Sequence, residues 1–306
     1  MIEYFYRESL TKSQEKNQSF KTGSWICVTD PSDKEITSLA EEFDLELGHL
    51  QDALDPFEVP RLELEDNAAY FFVRAPVKSK QGMETQPFLI VLGEQFLLTI
   101  CQESLPILEK FINGNYKVYT TQKLDFIAQL ISAISASYSR NLMEISRQVR
   151  SIRVRLERIE NGDIIKFVDF EQVLNDFISA LIPMSGSLRG LLRSQSLNLQ
   201  EEHHDLFEDL LLNNEQLIES AKANLKTIVN IRDAYSTIMS QDLNKIIKIL
   251  TSLTIIVTVP TMISSFYGMN IDLPFQRSPL AFSGVVGVTL LSVGIFWFVF
   301  KKNRWL

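Results

Sequence analysis

The chain has 306 residues, of which 30 are basic and 38 acidic, and its formal net charge is −8 at pH 7. This length allows one soluble domain of ordinary size plus additional segments, and the acidic balance argues against a nucleic-acid-binding protein. The two cysteines, Cys27 and Cys101, lie in apolar runs without zinc-ligand spacing, which predicts buried thiols in a reducing compartment.

The first 120 residues have the mixed pattern of an α/β domain. The N-terminus lacks a basic segment followed by an apolar core, so we expect no signal peptide and a domain that stays in the cytoplasm. Two short helices are predicted, one capped by Ser32 or Asp33 and ending at Phe43, the other over Leu45–Leu54. Gly93-Glu94 is typical of a hairpin turn. The predicted strands are Ser24–Thr29, Ala69–Val77, Pro87–Leu92 and Phe96–Gln102.

Residues 121–197 are predicted to form antiparallel helices. Apolar residues recur at spacings of three and four from Leu124 to Glu160, which indicates a first helix. Asn161-Gly162-Asp163 is typical of a turn, and a second helix is expected over Ile165–Ser194.

A third helix is predicted to begin near Asn198, and the sequence contains no glycine or proline from there until Pro260. If unbroken, it spans about 65 residues and about 100 Å, with residues 198–245 forming a cytoplasmic stalk. One helix of that length cannot bury its own apolar stripe, and the simplest partners are further copies of the chain.

Two long apolar stretches follow, Ile246–Phe266 with only Lys248 charged and Leu280–Phe300 with no charge. About 20 apolar residues cross a hydrocarbon core, so we predict transmembrane helices at 246–270 and 280–300. Only Asp272 and Arg277 are charged in the loop at 271–279. Basic residues before the first span and in the tail at 301–306 place both termini in the cytoplasm of a multi-pass plasma-membrane protein.

The first span ends in the motif Tyr267-Gly268-Met269-Asn270. A helix end leaves its last four carbonyls without intrahelical partners. We expect Gly268 to let the chain leave helical geometry and Asn270 to present an amide oxygen beside those carbonyls. In a symmetric ring these groups form a collar of neutral oxygens, which suits magnesium because it keeps much of its hydration shell.

The order of an α+β cytoplasmic domain, a very long helix, this motif, a short loop and a second span resembles the CorA-type magnesium/cobalt transporters, as does the ending KKNRWL. The resemblance implies a funnel-shaped homopentamer with five first spans around the pore. Tyr267, Gly268, Met269 and Asn270 would form the ion-selecting segment. The implied pore-lining residues, for which helical periodicity also allows simple interhelical packing, are Asn244, Ile247, Leu250, Thr251, Thr258, Thr261 and Ser265.

Within this resemblance, Asn244 corresponds to a polar ring at the cytoplasmic entrance and Leu250 to a hydrophobic gate. Asp52 is expected to face Asp209 of the next subunit, with regulatory Mg²⁺ between them. The sequence departs from the family where the outer loop has only Asp272 for attracting cations, opposed by Arg277.

The predicted function is channel-like Mg²⁺ influx down the electrochemical gradient, with Co²⁺ and Ni²⁺ as possible substitutes and cytoplasmic Mg²⁺ closing the channel. No enzymatic activity is expected, and the partners are divalent cations, membrane lipid and copies of the chain. Zinc or another divalent cation, carried by a transporter of the ZntB type, is the alternative, and a membrane-anchored signalling protein is a third possibility. Comparing Mg²⁺, Zn²⁺ and Co²⁺ uptake into proteoliposomes separates them.

Two further features stay open. His49, His203 and His204 lie near the two aspartates, as surface residues or as ligands for a softer ion. A basic face is unusual for the family, and its arginines either are solvated or pair with the acidic start of the stalk. These arginines are Arg147, Arg150, Arg153, Arg155 and Arg158. The acidic residues are Glu201, Glu202, Asp205, Glu208 and Asp209.

Overall fold

The computed structural model describes residues 1–8, 15–79, 82–155, 159–194, 197, 199–271 and 278–305, in two compact units, Met1–Asn230 and Ile231–Leu306. The strands in this part of the chain are β1 Ile2–Tyr6, β2 Glu15–Asn17, β3 Ser24–Thr29, β4 Arg61–Leu64, β5 Ala68–Ser79, β6 Gly82–Gly93 and β7 Phe96–Cys101. The helices are α1 Asp33–Phe43, α2 Leu47–Asp52, α3 Pro106–Ile112, α4 Lys123–Val154, α5 Asn161–Arg193, α6 Glu201–Tyr267 and α7 Ala281–Lys302.

The strands form one seven-stranded sheet in the order β2-β1-β3-β7-β6-β5-β4. The central pair, β3 and β7, is parallel, with Ile26 opposite Leu98, and the other neighbouring pairs are antiparallel. Every residue of β7 is buried. A strand buried on both sides requires cover on each face of the sheet, and the helices provide it.

Helices α1 and α2 cover one face. Ile36 and Leu39 of α1 and Leu50 of α2 join the core formed by side chains of β3, β5, β6 and β7. Ser32 caps α1 in a capping box with Glu35, which satisfies two backbone donors at the helix start and confirms the predicted cap. The cap and this core fix α2, and therefore Asp52 at its end, beside the sheet.

Helices α4 and α5 cover the other face as an antiparallel pair. The ring of Phe126 in α4 lies 5.1 Å from that of Trp25 in β3, and Tyr138 in α4 lies 4.8 Å from Phe177 in α5. The buried Tyr138 hydroxyl donates to the carbonyl of Arg74 in β5 at 2.9 Å. Packing against the sheet therefore places these helices in the same unit as residues 1–120, whereas the domain boundary at residue 120 stays a prediction.

Several predicted elements differ from those observed. The sequence patterns missed β1, β2, β4 and α3, and α4 ends at Val154 where a helix to Glu160 was expected. The predicted turn at Asn161–Asp163 is wrong, because these residues form the first turn of α5. Glu160 is the N-cap and makes a capping box with Asp163, and acidic groups are favourable at that end of a helix.

Helix α6 is the longest element, with 67 continuous residues from Glu201 to Tyr267. The long unbroken helix is confirmed, although its predicted start near Asn198 lies outside the described residues. Pro260 lies within it, so the carbonyl one turn earlier has no amide donor from that residue. Helices α6 and α7 are both long and apolar enough to cross a membrane, by length and composition. An α+β domain, a long helix and two apolar helices agree with the predicted fold class, while the homopentamer stays a prediction.

Candidate functional site

The predicted selectivity segment lies where α6 ends. The Gly268 amide donates to the carbonyls of Ser264 and Ser265 at 3.0 and 3.2 Å, and the Met269 amide donates to Phe266 at 3.3 Å. These bonds tighten the last turn after Tyr267 and use some of the carbonyls that a helix end leaves without partners. Tyr267, Met269 and Asn270 are exposed beyond it.

The predicted reason for glycine at position 268 is wrong. Gly268 is not among the described residues with positive φ, so leaving the helix there does not require the conformational freedom of glycine. A β-carbon at this position would lie 3.4 Å from the Ser264 carbonyl oxygen and 3.6 Å from that of Ser265. Glycine therefore leaves no side chain in contact with these two oxygens, which also accept hydrogen bonds from the Gly268 amide.

One face of the apolar part of α6 is partly or fully buried, and its residues are spaced by three and four: Ser252, Ile255, Ile256, Val259 and Ile263. A cavity of about 370 Å³ is lined by Ile263 and Tyr267 together with Ala281, Gly284 and Val288 of the second apolar helix. Helix α7 therefore lies against this face of α6 at the end that carries the motif.

The predicted pore-lining residues occupy the opposite face. At 100° per residue their mean direction lies about 130° from the face that contacts α7. All seven are exposed in the single chain, with Leu250 exposed to 62 % and Ile247 to 50 %. Packing against α7 of the same chain is thus excluded as the reason for the hydroxyls at Thr251, Thr258 and Thr261.

The hydroxyls on this side of α6 are oriented by the helix itself. Thr261 donates to the carbonyl of Val257 and Thr254 to that of Leu250, both at 2.8 Å. Since a hydroxyl has one proton and two lone pairs, this bond leaves the lone pairs directed away from the helix. The water molecules around a cation donate hydrogen bonds, and such acceptors match them.

Asp52 has a positive neighbour that the sequence patterns did not reveal. Its Oδ2 accepts from the Arg61 guanidinium at 2.7 Å, and the same guanidinium contacts Glu58 and lies 3.2 Å from Glu63. It also lies 3.9 Å from the ring centroid of Phe72, which holds it in place. Because β4 was not predicted, the sequence patterns did not place Arg61 beside Asp52.

Asp209 is exposed on α6, and the described residues offer it no ion pair. The expected pairing with Asp52 joins two copies of the chain, so it stays a prediction. Asp272 and Arg277 of the outer loop lie outside the described residues. Arg158 lies outside the described residues. The other arginines of the basic set do not pair with the acidic set in the described chain, where Arg147 pairs with Glu144 and Arg155 with Asp163.

The three histidines differ from one another. His49 is partly buried, 4.7 Å from the ring of Tyr70, and His203 is partly buried and lies 3.4 Å from Asp125. His204 is exposed, and its ring lies with Asp205 and Glu208 so that one possible ligand atom from each falls within 4.8 Å of the others. This arrangement on one turn of helix suits a softer divalent cation, but exposed acidic groups are common without an ion.

Comparison with known proteins agrees with the fold. The model of the family described as CorA-like Mg²⁺ transporter protein matches residues 20–302. The cobalt/magnesium transport protein CorA of Methanocaldococcus jannaschii is 26 % identical over 293 residues, covering 92 % of this chain and 91 % of that protein.

Solved structures give the same result for the fold. The complete structure of the CorA magnesium transporter from Methanocaldococcus jannaschii superposes with a TM-score of 0.87 at 24 % identity, covering 100 % of this chain and 99 % of that one. The ZntB cytoplasmic domain from Vibrio parahaemolyticus gives a TM-score of 0.66 at 12 % identity, covering 78 % and 98 %. At these identities the likeness establishes the fold alone, and it does not distinguish between magnesium and zinc.

Proposed function

The chain belongs to the CorA-like Mg²⁺ transporter family, and on that premise we propose that it is a channel-like transporter for Mg²⁺. Co²⁺ and Ni²⁺ are the proposed substitutes, and influx follows the electrochemical gradient. A divalent cation gains about 4.6 kcal/mol per 100 mV of inside-negative potential, which drives uptake without ATP. The proposed assembly is a homopentamer in the plasma membrane, with both termini in the cytoplasm and the loop at 271–279 outside.

One observation carries this proposal: α6 has a hydroxyl-bearing face about 130° from the face that contacts α7. In a ring of copies with α7 outside, that face lines the central pore. The hydroxyl of Thr261, bonded back to Val257, offers lone pairs to the waters of a hydrated ion. Such neutral acceptors bind weakly enough for release, which conduction requires.

Ion selection is assigned to the end of α6. In the ring, the Asn270 amide oxygens and the carbonyls near Gly268 surround the outer mouth of the pore. Magnesium loses its waters reluctantly and favours octahedral oxygen ligands, so contact through the hydration shell is the proposed basis of selectivity. Tyr267 and Met269 support this collar and surround it with apolar surface.

The gate is assigned to the cytoplasmic half of the same face. Ile247 and Leu250 are exposed by 50 % and 62 % in the single chain, and five copies of each form an apolar constriction. A narrow apolar ring excludes hydrated ions by dewetting. Asn244, one turn earlier, supplies amide groups for ions that leave the constriction.

Regulation is assigned to Mg²⁺ between Asp52 of one subunit and Asp209 of the next. Arg61 already bonds Asp52 at 2.7 Å, so a bound cation competes with a guanidinium for that carboxylate. This competition lowers the affinity for Mg²⁺ and is consistent with a sensor that fills only when cytoplasmic Mg²⁺ is high. Loss of the ion loosens the closed ring and shifts the population toward the open state.

Zinc transport is the second candidate, and the cluster of His204, Asp205 and Glu208 favours it because imidazole prefers softer ions. Flux into proteoliposomes separates the two candidates, with Mg²⁺, Co²⁺, Ni²⁺ and Zn²⁺ each tested with and without an inside-negative potential. We expect Mg²⁺ flux that increases with the potential and is abolished by Asn270→Ala. The matched control is Asn303→Ala, an exposed asparagine just after α7, which should conduct normally. Equal flux through both variants would refute the selectivity assignment, and Zn²⁺ flux alone would favour the second candidate.

A further inference from the structure

A small cavity of the first unit is lined by basic side chains and by no acidic one. Its volume is about 50 Å³, and residues of β5, α3, α4 and the segment that follows α3 line it. Lys110 of α3 and Arg140 of α4 are in this lining, and none of the ten lining residues is an aspartate or a glutamate. In a chain with 38 acidic and 30 basic residues, the cavity therefore concentrates charge of the rarer sign.

The polar side chains of this cavity have no partners among the described residues. Neither Lys110 nor Arg140 forms an ion pair there. The hydroxyls of Tyr116 and Ser137, which also belong to the lining, make no hydrogen bond in the same part of the chain. All four side chains can donate hydrogen bonds, so the cavity gathers donors and offers them no acceptor from the protein.

The nearest acidic side chains along α3 and α4 are engaged elsewhere. Glu109, next to Lys110, accepts from the Ser104 hydroxyl at 2.8 Å. Glu144, one turn after the lining arginine, pairs with Arg147. Neither carboxylate is in the lining, so neutralising the two cations of the cavity is left to a ligand.

Packing holds the donors in place. Leu105, just before α3, is buried and forms part of an apolar wall of the cavity. The ring of Tyr116 stacks on that of the buried Phe111, with 4.3 Å between the centroids, which fixes the phenol group. Ser137 lies three residues before Arg140 on α4, and residues at that spacing share one face of a helix.

We propose that this cavity binds phosphate, either free or as the phosphoryl group of a small soluble molecule. A water-sized group needs about 10–15 Å³ of cavity, so the volume of about 50 Å³ takes about four oxygen atoms, the number in phosphate. A guanidinium fork and an ammonium group both recognise phosphate oxygens. The two hydroxyls can donate to such an oxygen or accept from a protonated one.

Other ligands and another cavity fit less well. A carboxylate has two oxygen atoms and would leave about half of this volume empty. The larger cavity of the first unit, about 530 Å³, has Glu84, Glu103 and Asp176 in its lining, and these carboxylates would repel an anion. Size and charge together therefore point to the smaller cavity and to a tetrahedral oxyanion.

The test measures how fast an acylating reagent modifies Lys110, with mass spectrometry of the resulting peptides. The full chain is kept in an uncharged maltoside detergent, so that no lipid phosphate competes, and divalent cations are removed by a chelator. Inorganic phosphate is titrated against chloride at constant ionic strength, because salt alone screens charges. Lys34, exposed on α1, is the internal control.

A bound phosphate covers the ammonium group and slows its modification. Two charge-assisted hydrogen bonds correspond to half-maximal binding at about 1 mM, and at ten times that concentration Lys110 should react about tenfold more slowly while Lys34 is unchanged. Arg140→Gln should raise the half-maximal concentration about tenfold, and Tyr116→Phe, which keeps the ring stack, about threefold. The matched control is Arg153→Gln, an exposed arginine about 20 Å further along α4, which should protect Lys110 as the parent chain does.

Three results would overturn the proposal: no slowing by phosphate, equal slowing by acetate, or protection that Arg140→Gln leaves unchanged. Protection by glycerol phosphate at the same concentrations as phosphate would assign the site to a phosphoryl group, and protection by inorganic phosphate alone would assign it to the free ion. Because the measurement uses no transported cation and no flux, failure of the proposed ion conduction would not change these outcomes.

Discussion

Replacing Arg61 with methionine removes the positive charge that faces Asp52 and keeps a side chain of similar length over Phe72. The guanidinium bonds Asp52 at 2.7 Å and lies 3.9 Å from the Phe72 ring centroid. If Mg²⁺ binds at Asp52, we expect Arg61→Met to make cytoplasmic Mg²⁺ a stronger inhibitor, because the ion then competes with no cation.

The magnitude follows from Coulomb's law. A doubly charged ion about 5 Å from a single charge is repelled by about 1.7 kcal/mol in water, and salt screening reduces this to about 1 kcal/mol. High solvent dielectric is appropriate because the side chains of Arg61 and Asp52 are 30 % and 46 % exposed. The Mg²⁺ concentration for half-maximal inhibition should therefore fall about fivefold.

The assay is current through giant-liposome patches with Mg²⁺ titrated on the cytoplasmic side. Arg61→Lys keeps the charge and should leave the inhibition curve close to that of the parent chain, whereas Asp52→Asn removes the ligand and should weaken inhibition. An unchanged curve for Arg61→Met would refute the competition, and unchanged curves for both Arg61→Met and Asp52→Asn would remove the regulatory site from this position.

Two further predictions concern single side chains. Gly268→Ala should fold and assemble normally because Gly268 is not a positive-φ residue. It should conduct about tenfold less if the new methyl groups together cost an ion about 1.4 kcal/mol at the carbonyl collar. Gly287→Ala on α7, where a β-carbon meets no atom within 4 Å, is the control, and equal flux in both would contradict the collar. Burial raises the pKa of Asp176 above its ordinary value, so the folded state binds a proton more tightly and loses stability as pH rises from the unfolded pKa through the folded one. Asp176→Asn should therefore raise the unfolding free energy at pH 7 by about 1 kcal/mol or less and lose this advantage below about pH 4, as urea unfolding at both pH values would reveal.

The sequence predicted the elements whose signals are local. Helix α6 has an apolar period and no glycine or proline before Pro260, and Ser32 with Glu35 forms a recognisable cap. By contrast, β1 and β4 have mixed burial and depend on neighbouring strands for pairing. The pairing of a strand with its neighbours cannot be read from a hydrophobic period of two or 3.6 residues.

In the candidate site, too, some features follow from local sequence signals and others depend on tertiary contacts. Periodicity alone places the hydroxyls of α6 on one face, because helix geometry follows from sequence spacing. The contact between Asp52 and Arg61 depends instead on the position of β4, nine residues later on another element. The predicted conformational role of Gly268 failed for a related reason. Glycine occurs both where φ is positive and where a β-carbon would be in the way, and only the coordinates distinguish these two cases.

The exposed apolar half of α6 carries the strongest argument for an assembly of copies. Helix α7 covers one face, and lipid can cover other apolar side chains such as Leu253 and Val257, exposed to 55 % and 58 %. Lipid is a poor partner for Asn270 at the end of the span, because an amide without hydrogen-bond partners in hydrocarbon costs several kcal/mol. A water-filled space bounded by further copies satisfies this amide and the outward lone pairs of Thr261, and the same surface then lies against the ion. The side chains that make a single chain unsuitable for lipid on this face are therefore the ones that the proposed pore requires.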